Sequence, residues 1–210
     1  MASTIRNLVL FKLGWVGCIL LAAAGEPLLA TLAVAAVVTI HLFSTPVAVK
    51  EALLLAVAAV IGMAWESLLV SGGIVSYPGY AASAPLAPYW IVAMWVLFAT
   101  TINHGLRWIK RSGPIAALAG FVGGPLAFLG GAGMGAVEFG NTAVALLVIG
   151  IGWALLLPAL ALIADTIIDS TWLEPREGLL IEQARRAPAA RHAGDPVPVP
   201  VFEKESNRVR

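Results

Sequence analysis

Four polar side chains within one apolar stretch carry the strongest chemical signal in the sequence. Thr100, Asn103, His104 and Arg107 are spaced three and four apart, so on an α-helix they share one face. A histidine there could carry protons near neutral pH or ligate a head group, and the arginine could clamp an anion. Arg107 can snorkel to an interface, whereas Asn103 and His104, about a turn deeper, need neighbouring helices or a wet cavity. Lys12, His41, Asp165 and Asp169 are expected at the same depth, as partners or as ordinary interfacial charges. Glu66, beside Trp65, is the second candidate. It could carry protons, bind a substrate, or bond a backbone group or Ser67. The candidate polar pocket is therefore Thr100, Asn103, His104, Arg107 and Glu66. No metal is expected, because His41 and His104 come from different apolar runs and the helical His-Glu-x-x-His pattern is absent. No cofactor is expected either. A Gly-x-Ser-x-Gly elbow, a phosphate loop and a dinucleotide fingerprint are all missing, and Cys18 has no general base near it by spacing.

Small residues form a third pattern. Gly123, Ala127, Gly131 and Gly135 recur every four positions, with Gly120 and Gly124 as a shorter second series. Such spacing lets helices approach closely in a membrane. Gly123-Gly124-Pro125 in mid-span is expected to bend or break its helix.

These residues need elements to position them, and composition says what kind. The 210 residues are 60% hydrophobic and 12% charged, with a mean hydropathy of +0.89. A soluble domain has about 25% charged residues. More than half of the charged residues fall after Ser170, which leaves the rest too apolar to face water. The expected fold is an all-α bundle of six transmembrane helices with short loops. The spans are expected near Asn7–Ala24, Pro27–Phe43, Ala52–Val70, Pro88–Trp108, Pro114–Ala136 and Thr142–Ala164, each near the ~20 residues a bilayer needs. Pro27, Pro88 and Pro114 each stand where a helix can begin. Residues 1–170 form the membrane domain. Residues 171–210 form a tail, expected as a short surface helix over Glu174–Ala187, then an extended Asp195–Pro200 segment and a disordered end.

Basic residues alternate between the connections. Arg6 and Lys12, then Lys50, then Arg107, Lys110 and Arg111, then the tail arginines fall on one side; the intervening loops have no Lys or Arg. The positive-inside rule places both termini in the cytoplasm. Arg6, Lys12, an apolar core and Ala22-Ala23-Ala24 also fit a signal peptide, but retention of the first span is expected, given the depth of Lys12. Tyr77, Tyr80, Tyr89 and Trp90 read as an interfacial aromatic belt.

Several runs resemble a known family: Gly72-Gly73-Ile74-Val75-Ser76-Tyr77-Pro78, the stretch Pro88 to His104 ending in Phe98-Ala99-Thr100-Thr101-Ile102-Asn103-His104, Gly123-Gly124-Pro125-Leu126-Ala127-Phe128, and Gly135-Ala136-Val137-Glu138-Phe139-Gly140. Over roughly Leu8 to Ala164 the chain resembles the bacterial inner-membrane family catalogued as domain of unknown function 2878. That family commonly has an Asp in its third span where this chain has Glu66. The resemblance implies a multi-pass inner-membrane protein and at most a connection to lipids. Three functions stay open: an accessory or enzyme in membrane lipid or fatty-acyl metabolism, a small transporter or flippase, and a membrane scaffold or assembly factor. The expected partners are membrane lipid and, through the tail, another protein. Nucleic acid is not expected, because no dense basic block lies outside the tail. Oligomeric state is left open.

Overall fold

Inside hydrocarbon every backbone N–H and C=O must be bonded within its own segment, so long apolar runs become helices. The computed structural model describes residues 2–80 and 86–169. Its helices are α1 (Ala2–Ala23), α2 (Pro27–Ser44), α3 (Ala48–Ser71), α4 (Tyr89–Ala99), α5 (Gly113–Gly133) and α6 (Thr142–Asp169), with a 3-10 helix over Arg107–Arg111 between α4 and α5. The expectations for the tail lie outside the described residues. Five of the six helices, all but α4, are long and apolar enough to cross a membrane.

The fourth span differs from its expectation. An uninterrupted helix over Pro88–Trp108 is not formed: α4 stops at Ala99 after 11 residues, about 16 Å of rise. Thr100 and Thr101 tighten the chain there. Their hydroxyls donate back to the Leu97 and Phe98 carbonyls at 2.7 and 2.6 Å, and their N–H groups make i→i−3 bonds to the same two oxygens. Side-chain bonds of this kind compete with the helical ladder. Asn7 of α1 fixes the altered path, donating to the Thr100 carbonyl at 3.0 Å and accepting from the Gly105 N–H at 3.3 Å. Local apolarity favoured a longer helix; a tertiary partner 93 residues away in sequence decided otherwise.

Two further boundaries move. α3 begins at Ala48, so Lys50 and Glu51 belong to its first turns and are buried. α6 extends through Asp165 to Asp169. α5 and α6 run unbroken through Pro125 and Pro158, contrary to the break expected at Gly123-Gly124-Pro125. One lost donor is a smaller penalty in hydrocarbon than a broken helix with several orphan groups.

Short antiparallel strands β1 (Val75–Ser76) and β2 (Glu138–Phe139) pair Val75 with Phe139 and Ser76 with Glu138. This ladder brings the α3–α4 and α5–α6 connections together at one end of the bundle. At the other end Lys110 pairs with Asp165, and the Lys50 ammonium donates to the Ile168 carbonyl at 2.8 Å. The lysine-free connections thus share one end and the basic ones the other, as the charge pattern requires.

α5 packs chiefly on α6. The seam is built from Gly120 and Gly124, against which Trp153 lies; Gly150 of α6 takes Phe121 in the same way. Trp153 also stacks on Trp95, with ring centroids 4.7 Å apart, and meets Phe98 edge-on. The longer series expected to pack behaves differently. Gly123 meets nothing within 4 Å, Gly131 touches Val137, and Gly135 lies beyond the helix at φ +83°, a turn conformation that favours glycine. Large apolar side chains such as Val60, Leu118, Leu155 and Leu162 point outward, as expected where lipid is the outer solvent.

Gly120→Ala would drive a Cβ into the Trp153 carbonyl. It is expected to cost about 1–3 kcal/mol, as overpacking does, whereas Gly123→Ala should be tolerated. Thermal unfolding of the two variants in detergent measures the difference.

Candidate functional site

At the basic end, the side chain that gathers the polar residues is Glu51, which is 1% exposed. Helix α3 carries it in its first turn, where the helix dipole favours a carboxylate. Oε1 accepts from Asn103 Nδ2 at 3.2 Å and lies 3.1 Å from His104 Nε2. Oε2 lies 3.4 Å from His41 Nε2. The two imidazoles meet edge to face, 5.0 Å apart. Lys110 extends the network by donating to Asn103 Oδ1 at 2.8 Å and pairing with Asp165. Residues from α2, α3, the turn after α4, the 3-10 helix and α6 are joined in this way. One ligand atom from each of His41, Glu51 and His104 lies within 4.8 Å of the other two, so these three could hold a metal ion.

A polar pocket of about 200 Å³ adjoins the histidines, lined by Arg6, Asn7, Ser44, Thr45, Thr100 and both imidazoles, among others. It lies between the basic ends of α1 and α2.

Glu66 occupies a different site. It is fully buried and lies 15 residues beyond Glu51 on α3, about 22 Å along the axis. Tyr77 donates to Oε2 at 2.6 Å and Trp95 Nε1 to Oε1 at 2.8 Å. Tyr77 is thus not part of an interfacial belt. The loop after β1 turns it inward, where Trp90, also buried, packs edge-on against its ring; Tyr89 alone of this pair at the start of α4 is exposed. Burial, reinforced by the Glu66 carboxyl, pushes the Tyr77 hydroxyl well above its ordinary range, which keeps it a donor. Ser67 does not bond Glu66; its hydroxyl accepts from the Ala87 N–H.

Glu66 and Tyr77 line one wall of a larger cavity, about 470 Å³, framed by α1, α4, α5 and α6. Phe11, Trp15, Met94, Phe98, Ala127 and Phe128 contribute to a largely apolar lining. Lys12, Gly123 and Leu126 in its lining are exposed, so it opens on the side of the bundle. Lys12 places its ammonium 4.5 Å from the Trp15 ring centre, a cation–π contact.

The pocket expected from spacing therefore divides. Asn103 and His104 converge on Glu51, joined by His41, while Asp165 reaches them through Lys110. Thr100 lines the adjoining pocket, although its hydroxyl is bonded to Leu97. Arg107 is exposed, and Glu66 belongs to the other end. The shared helical face does not exist, because α4 ends before it. Glu51 was missed by sequence reasoning: next to Lys50, it has the appearance of one half of an interfacial charge pair. Its position near the start of a helix was the available signal.

Residues 4–159 match the family model described as a protein of unknown function, DUF2878. The chain belongs to that family. Neither the curated proteins nor the solved structures yield a match.

Removing one donor from Glu66 would leave a buried carboxyl oxygen unbonded, at about 1–3 kcal/mol. Tyr77→Phe is expected to lower stability by that amount, read from the unfolding midpoint in detergent. Phenylalanine at Tyr80, whose hydroxyl makes no hydrogen bond among the described residues, serves as the control.

Proposed function

We propose that this protein holds one membrane lipid or fatty-acyl chain in its lateral cavity and acts as an accessory or enzyme in membrane lipid or fatty-acyl metabolism. The observation that carries this reading is the cavity itself. Its volume falls within the roughly 300–1,000 Å³ of small-molecule sites, its lining suits a hydrocarbon chain, and its rim faces lipid. Exposed Lys12 on that rim, its ammonium 4.5 Å from the Trp15 ring centre, suits an anionic head group.

Translocation of lipid is the second reading. It is favoured by the length of the lining, which runs from Trp108 and Ile109 near the basic end to Tyr77 and Val137 near the strands. The proposed location is the bacterial inner membrane with the basic end in the cytoplasm, following the positive-inside rule.

A photoactivatable fatty acid should label the purified protein on α1, α4 or α5. Gly123→Phe, which fills the cavity from a position with open space around it, should cut labelling at least about tenfold, equivalent to ~1.4 kcal/mol. Undiminished labelling would remove the reading. In a separate test of orientation, an impermeant thiol reagent applied to intact cells should modify Asn141→Cys and spare Ser112→Cys; the reverse pattern would invert the topology.

A further inference from the structure

We propose that His41, Glu51 and His104 form a binding site for a divalent first-row transition metal, zinc by preference, with its open coordination position toward the polar pocket between α1 and α2. This inference does not depend on lipid binding, since the cluster and the lateral cavity are separate sites.

The three groups stand close enough to close into a coordination shell, one ligand atom from each lying within 4.8 Å of the other two. Metal–ligand bonds of 2.0–2.1 Å in a tetrahedron put neighbouring ligand atoms about 3.3–3.4 Å apart. His104 Nε2 lies 3.1 Å from Glu51 Oε1 and His41 Nε2 lies 3.4 Å from Oε2, so the two imidazoles approach opposite oxygens of one carboxylate. A rotation of the carboxylate that presents one oxygen to both imidazoles would make both separations edges of a tetrahedral shell. Two imidazoles and one carboxylate are a known zinc ligand set with room for a fourth group. They suit magnesium or calcium poorly, since those ions take oxygen ligands.

The surroundings fit as well. The ligands come from α2, α3 and the turn after α4, so the site is held by tertiary structure. His41 and Glu51 are nearly inaccessible, at 7% and 1%, while His104 keeps 29%. Asn103 donates to the carboxylate and is held in turn by Lys110, the kind of outer support that orients metal ligands. The adjoining pocket touches both histidines. It provides a path for the ion and space for water or a small anion, with Arg6 on the lining.

The full-length chain, with any histidine tag removed and after treatment with a chelator, should bind one zinc ion per molecule in competition with a chromophoric chelator. Glu51→Gln and His104→Ala should each weaken binding by more than the ~10–100-fold that loss of an outer partner costs. His192→Ala, at the one other histidine of the sequence, should leave it unchanged. Measurements on the unaltered protein stand apart from any folding defect in a variant. Cobalt loading should give the intense visible bands of a four-coordinate ion, and X-ray absorption of the zinc form should show two imidazoles at ~2.0–2.1 Å. Sub-stoichiometric zinc, a six-coordinate cobalt spectrum, or affinity that follows His192 would each overturn the site and leave a hydrogen-bonded triad.

Discussion

A carboxylate withdrawn from water must be surrounded by donors, and Glu51 imposes this condition on the basic end of the bundle. Burying such a charge costs several kcal/mol unless its lone pairs are satisfied. Glu51 meets the requirement with Asn103, His104 and His41, and with the dipole of the helix that carries it. None of these partners is adjacent in sequence, so the chain must assemble to supply them. The turn after α4 is shaped accordingly: an extended helix through His104 would direct Asn103 and His104 by helical phase alone. The tightened turn, secured by Asn7, presents both to the same carboxylate oxygen.

Helix α3 carries this constraint at one end and its counterpart, Glu66, near the other. The segment containing α4 satisfies both, with Asn103 and His104 below and Trp95 above. Between the two lie Leu54, Ala58, Ala99 and Ile102, packed in one apolar cluster, and Gly62, whose missing side chain admits Trp95. Apolar packing alone tolerates sliding, because lipid solvates leucine as well as another leucine does. Two polar fastenings on one helix pair do not tolerate it. A shift by one residue would take Asn103 and His104 from Glu51 and Trp95 from Glu66, at about 1–3 kcal/mol for each buried group left unbonded.

This division also explains what was legible in the sequence. Apolar length and proline placement located the helices, and alternating Lys and Arg sorted the connections onto two ends, because these follow from solvation of each segment by itself. The end of α4 was not legible, since Asn7 lies far away in sequence and nothing in Phe98–His104 marks a stop. Glu51 was obscured by Lys50: a lysine–glutamate pair near a membrane boundary ordinarily faces water. Tyr77 was similarly deceptive, because an aromatic residue in a loop fits an interface as readily as it fits a buried hydroxyl donor. The glycine series were visible, yet periodicity could not distinguish the packed Gly120 and Gly124 from the open Gly123. All four failures concern which side chain meets which, a property of the assembled fold.

Helix α1 connects the two candidate sites. Phe11, Lys12, Trp15 and Ile19 line the lateral cavity, while Arg6, Asn7 and Leu10 line the polar pocket beside the histidines. Anything that moves α1 outward to admit a larger occupant also pulls on Asn7. Asn7 holds the Thr100 carbonyl and the Gly105 N–H, which bracket Asn103 and His104 in the chain. Gly105 lets α1 pass so closely that a side chain there would strike Leu8, and tight contact transmits displacement where loose packing would absorb it. The apolar cavity and the surroundings of Glu51 therefore share one helix, whose Asn7 makes both of these hydrogen bonds.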